Sequence, residues 1–126
     1  MSRARGRRTA GVLALVAGLA APAAGHWVTP EAIVAELNAE VTRTRWGVEQ
    51  ATRDAKVPRL LIIRVGPRWY ALPAAARRDQ ALEWRERWRH NVPQGVVSVL
   101  DAASDAPVVR YEPGGKAAEL TDPPKR

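Results

Sequence analysis

Apolar or small residues recur at Val34, Leu37, Val41, Thr44, Val48, Ala51 and Ala55, in steps that alternate between three and four. That period puts one apolar stripe along a helix, with Ile33 flanking it. The start is equally plain: Thr29 is a suitable N-cap, Pro30 suits the first helical position, and Glu31 places an acid in the first turn. The spacing predicts a helix over Pro30–Ala55, about 39 Å long at 1.5 Å per residue. Val57-Pro58 ends it, because a residue preceding proline is pushed out of the α region. Gly47 lies inside this span, costs up to about 1 kcal/mol relative to alanine, and marks where the helix would kink or break.

Beyond it the pattern alternates between types. Arg59–Val65 (RLLIIRV) reads as a buried strand closed by Gly66-Pro67. A second helix is predicted from Pro73 to Val92, with Ala74, Ala81, Trp84, Trp88 and Val92 on one side. Glu83 with Arg87, and Glu86 with His90, are i,i+4 pairs on its wet faces. Val96–Leu100 and Val108–Tyr111 read as strands joined by the turn-rich Asp101–Pro107, hence as a hairpin. Ala117–Leu120 is a candidate short edge strand, and Thr121–Arg126 reads as a disordered tail.

The order is therefore α-β-α-β-β. A strand–helix–strand unit implies a right-handed crossover and a parallel pair, and the hairpin strand adds antiparallel to it. The expected fold is a small two-layer α/β (α+β) sandwich: a three- or four-stranded mixed sheet with both helices on one face. One domain over residues 26–120 accounts for the chain. Strands of five or six residues span only about 17–20 Å, so the first helix would overhang its sheet unless it breaks at Gly47.

The first 25 residues have a different pattern. Arg3, Arg5, Arg7 and Arg8 precede an apolar Ala10–Ala21 run, and small residues continue through Gly25. This is the three-part layout of a signal peptide, with cleavage after Ala23 or Gly25. The run is shorter than the roughly 20 residues a spanning helix needs, so no stable membrane anchor is expected after cleavage. Arg7-Arg8 invites a twin-arginine reading, but bulky apolar residues do not follow the pair, which favours general export. The expected location is periplasmic or secreted.

Charge changes meaning once the leader is set aside. The chain has 20 basic and 13 acidic residues, a net +7, and the four leader arginines take four of those charges, leaving +3. That is ordinary for a small soluble domain, and nucleic acid is not an expected partner. There is no cysteine, so disulfides, thiol chemistry and a lipidated cysteine anchor are excluded.

Candidate chemistry is sparse. The two histidines are His26 and His90. Cleavage after Gly25 would make His26 the N-terminus, and its amine, its imidazole and His90 would form a three-nitrogen set suited to copper(II). In that one feature the chain resembles the copper-binding histidine-brace proteins. Those carry a β-sandwich, which this helix-rich pattern does not suggest. Otherwise His90 simply sits beside Glu86 near a helix C-terminus.

Of the five tryptophans, Trp84 and Trp88 fall on the apolar stripe. Trp46 lies opposite the first helix's stripe, beside Arg43, Gln50 and Arg53. Trp and Arg dominate binding hot spots, so these four residues form a candidate partner surface, unless a loop or the N-terminal segment with Trp27 covers it. Arg68-Trp69-Tyr70 comes after the first strand, at the end where α/β sheets place ligands. The three form a candidate small-ligand site, or else the two rings plug the end of the core.

Serines 98 and 104 lie outside any G-x-S-x-G elbow, and Gly114-Gly115-Lys116 is too short for a phosphate loop. The expectation is a non-enzymatic periplasmic accessory or binding protein, acting on another periplasmic protein or a small ligand and without a resident cofactor. Copper binding through His26 is the alternative, and a small enzyme without a recognisable motif is the third reading.

Overall fold

A computed structural model of the protein describes residues 28–123. The elements in order are α1 (Pro30–Leu37), α2 (Glu40–Trp46), β1 (Val48–Arg53), β2 (Leu60–Val65), α3 (Pro67–Tyr70), α4 (Ala74–Asn91), β3 (Val96–Asp101), β4 (Val109–Tyr111) and β5 (Ala118–Leu120). The signal-peptide reading, Trp27 and His26 lie outside the described residues, as do the last three residues of the expected tail. Thr121, Asp122 and Pro123 carry no regular secondary structure.

The fold is mixed α/β, as expected, but its first third is not one long helix. α1 starts as predicted, with the Thr29 hydroxyl accepting from the Ala32 N–H at 3.0 Å and Pro30 in the first turn. It stops at Asn38, whose side-chain amide bonds across to the sheet. α2 then runs only to Gly47, which adopts φ +74°. Any side chain there would meet Trp69, since a Cβ on Gly47 would lie 2.3 Å from the Trp69 nitrogen. The break anticipated at Gly47 is present, but the chain continues from it as a strand.

The helical spacing misled for a definable reason. In β1 the register against β2 shifts between Val48 and Gln50: Val48 pairs with Val65 and Gln50 with Arg64. Two residues of β1 thus oppose one of β2, a β-bulge at Glu49. A regular strand turns every second residue inward, whereas the bulge puts Val48 and Ala51, three apart, on the same buried face. A three-residue step in a bulged strand imitates a helix.

β1 runs antiparallel to β2, and β2 parallel to β3, in the order β1-β2-β3. The parallel pair flanks α4, as the strand–helix–strand reading required. The expected β3–β4 hairpin is only partly formed. One bridge, Leu100 to Pro107, and a bond from the Val108 N–H to the Val99 carbonyl at 3.0 Å link the two segments. β4 instead pairs antiparallel with β5 in a separate two-stranded sheet.

The core lies on one face of the three-stranded sheet. Leu61, Ile63 and Val65 of β2 and Val97 and Val99 of β3 are buried, together with Ile33 and Leu37 of α1 and Ala81, Trp84 and Trp88 of α4. Ala74, expected on that stripe, is exposed at the first turn of α4. Trp69 and Trp84 stack at 5.3 Å, and the Trp88 indole N–H donates to the Arg59 carbonyl at 2.8 Å. Each such ring buries on the order of 200 Å², about 5 kcal/mol at 25 cal/mol per Å². Leu60, Ile62 and Leu100 alternate with the core residues and are only half-buried, on the sheet's other face.

Candidate functional site

α2 is short and sits over the core without sinking into it. None of its residues is fully buried. Val41 is 70% exposed, and Trp46 is half-buried where α2 turns at Gly47. Both side chains line an open groove of about 330 Å³ between α1, α2 and α4, floored by Leu37, Leu61 and Trp84.

The rim of the groove carries both signs of charge. The Arg45 guanidinium lies 5.4 Å from the Trp46 ring centroid, within cation–π range. Arg87 of α4 forms an ion pair with Glu36 of α1 across the groove. The bond to Glu36 holds Arg87 above the usual guanidinium range, against the opposing effect of burial. Glu83 accepts from Gln80 at 3.0 Å on the α4 side. Such a groove can seat a bulky apolar side chain, with Arg45 placed to meet a carboxylate beside it.

Arg43, Gln50 and Arg53 were expected beside Trp46 on one helical face, and the structure brings none of them to the groove. Arg43 lies on a neighbouring depression shared with Gly47 and Gly66. Gln50 and Arg53 are on β1, because the chain is a strand there. Arg53 pairs with Glu31 at 2.9 Å, and its guanidinium lies 5.8 Å from the Trp88 ring centroid. The wheel that placed them together required a helix through Gly47.

Arg68, Trp69 and Tyr70 likewise diverge. Arg68 is exposed on the same depression as Arg43. Trp69 is fully buried, the core-plug alternative, and its indole N–H has no partner among the described residues. Tyr70 donates to Asp101 Oδ1 at 2.6 Å. Asp101, at the carboxyl end of β3, is the one buried charged side chain among the described residues, at 3% exposure. Its other oxygen accepts from the Ser104 N–H at 3.0 Å and the Ser104 hydroxyl at 2.9 Å. Those bonds hold the 101–105 turn, so Asp101 has a structural role. The Asp–x–x–Ser spacing was its signal in the sequence.

His90 is exposed near the end of α4 and lines a cavity of about 660 Å³ with Val28, Glu86 and Asn91. Among the described residues no three His, Cys, Asp or Glu side chains come together to hold a metal ion. No described helix is long and apolar enough to cross a membrane. No family model, curated protein or solved structure matches the chain.

Proposed function

We propose that the protein is an exported periplasmic accessory protein that acts through protein contact, with the Trp46 groove as its contact surface. The observation that carries the reading is α2 itself: its two large apolar side chains, Val41 and Trp46, face an open groove, and none of its residues is buried. A large apolar side chain left 70% exposed beside a half-buried tryptophan matches the anchor-and-pocket arrangement of protein interfaces. The partner is a protein segment offering one bulky apolar side chain next to a carboxylate that meets Arg45.

The test is site-specific photo-crosslinking in periplasmic extract from a probe at Thr42, in the wild type and in Val41→Glu. Val41 is too exposed for the substitution to disturb the core, so the melting temperature should stay within a degree or two. The expected result is a specific adduct that falls at least tenfold in the variant. An adduct of equal yield in both, or none in the wild type, removes the reading.

A second reading, copper(II) binding by His26 and His90, is favoured by one observation. The Val28 N–H donates to the Asn91 side chain at 3.0 Å, and Val28 and His90 line the same cavity. Native mass spectrometry of the exported chain with copper(II) tests it. A chain starting at His26 that holds one copper, lost in His90→Ala, supports this reading; a chain starting at Ala24 ends it.

A further inference from the structure

On the side of α4 away from the Trp46 groove, a second concave surface is lined by Arg59, Arg85, Arg89 and Arg110. These come from the loop before β2, from two successive turns of α4, and from β4. No Asp or Glu side chain lines the surface. We propose that it binds a small polyanion, a molecule carrying two or more phosphate or carboxylate groups.

Positive charge is concentrated on this surface. Without the four N-terminal arginines the chain carries only +3, yet four cations gather on this one hollow. Arg85 and Arg89 are one turn apart on α4, and like charges at that spacing destabilise a helix. Guanidinium atoms of both lie 3.9 Å from a common point above Gly115, at the border with the His90 cavity that Glu83 and Glu86 also line, so they are at most twice that distance apart. Helix-dipole attraction accounts for Arg89 in the last turn of α4. It does not account for Arg59 and Arg110 converging on the same place from outside the helix.

Two of the arginines are also held in place by neutral groups. Arg85 donates to the Glu112 carbonyl at 3.0 Å, and its guanidinium lies 5.1 Å from the Tyr111 ring centroid. Arg59 donates to the Gln94 carbonyl at 3.1 Å. Both are oriented by neutral groups, which fix direction without cancelling charge. Arg110 pairs with Glu119 at 3.1 Å, but both side chains are largely exposed, and such a pair contributes little. Positioned guanidinium forks with donors to spare match the oxygens of phosphate and carboxylate groups.

Size selects the ligand. The hollow is about 550 Å³, within the roughly 300–1,000 Å³ of small-molecule sites. Ser98, Gln94 and the backbone around Gly95 add polar groups to its wall.

The test is isothermal titration of the mature chain with pyrophosphate and, separately, with citrate, at fixed ionic strength set by sodium chloride. Saturable one-to-one binding to either anion is expected, with affinity falling as chloride is raised. Arg89→Gln should weaken it at least tenfold. Arg89 is exposed, so this variant keeps its fold even if Arg85→Gln, which also loses the Glu112 bond, does not. Val41→Glu should leave anion binding unchanged, which separates this surface from the Trp46 groove. Equal affinity in Arg89→Gln, or no saturable heat with either anion, overturns the proposal. So does binding to phosphatidylglycerol vesicles without binding to pyrophosphate or citrate, since the site would then serve a lipid surface.

Discussion

Asn38 shows how much one side chain decides. Its amide oxygen accepts from the Ala51 N–H at 2.9 Å, while its nitrogen donates to the Ala51 carbonyl at 2.8 Å and to the Val34 carbonyl at 3.0 Å. It therefore ends α1 and also stands where a neighbouring strand would bond to β1, the edge of the sheet. Unpaired edges invite pairing with another chain. Asn38→Ala should lower stability by about 1–3 kcal/mol, the usual cost of partly buried backbone groups left unsatisfied. Light scattering of the variant should also show self-association that the wild type lacks. Gly47→Ala is the second residue-scale prediction. The positive φ and the 2.3 Å approach to the Trp69 backbone leave no room for a methyl group, so urea denaturation should show a loss of at least about 2 kcal/mol.

Tyr111 gives a pH dependence with a definite sign. Burial pushes its phenol well above the ordinary range, opposed in part by Arg85, and the hydroxyl donates to the Ala81 carbonyl at 2.7 Å. The folded state keeps the proton that the unfolded chain gives up near pH 10. Tyr111 therefore contributes fully below pH 10, and its contribution falls by about 1.4 kcal/mol per pH unit above it. Denaturation midpoints measured between pH 8 and 11 should drop more steeply for the wild type than for Tyr111→Phe.

Among elements, α2 and α4 are opposites. α4 buries Ala81, Trp84 and Trp88, while α2 buries nothing completely. Local opening is cheapest where few apolar groups are buried. Amide hydrogens of Glu40–Trp46 should therefore exchange well before those of Ala81–Trp88, as read by hydrogen–deuterium exchange mass spectrometry. Equal protection would mean that α2 is covered in solution. The same contrast explains which elements could be read in advance. The stripe Ala81, Trp84, Trp88, Val92 has one explanation, a helix on a core, and the apolar run of β2 has one, a buried strand. The run from Val34 to Ala55 had two explanations. Val41 completes a helical stripe with Val34 and Leu37 in the sequence, yet it is 70% exposed, because α1 ends at Asn38 and Val41 belongs to a separate helix, α2.

At the scale of the molecule, α4 separates two surfaces of different character. The Trp46 groove is floored by apolar side chains and rimmed by charges of both signs; the arginine hollow has no acid on its walls. Substitutions that share no partner combine additively, so Val41→Glu and Arg89→Gln together should lose adduct and anion binding each to the extent of its single variant. Coupling beyond about 0.5 kcal/mol would mean that the two surfaces communicate through α4.

The local pattern by itself determined the elements whose reasons are local: the Thr29-Pro30 start of α1, the buried strands β2 and β3, and the stripe of α4. Capping, alternation and a 3.6-residue period act between residues close in sequence, so they can be read there. Tertiary structure decided the rest. β1 is a strand because β2 offers it a hydrogen-bonding partner and because a bulge at Glu49 lets Val48 and Ala51 face the core together. β4 leaves its expected hairpin because β5 pairs with it more fully. The two candidate surfaces belong to this second kind. Leu61 and Trp84 meet Trp46, and Arg59 and Arg110 meet Arg85 and Arg89, across gaps in the chain that no local pattern spans.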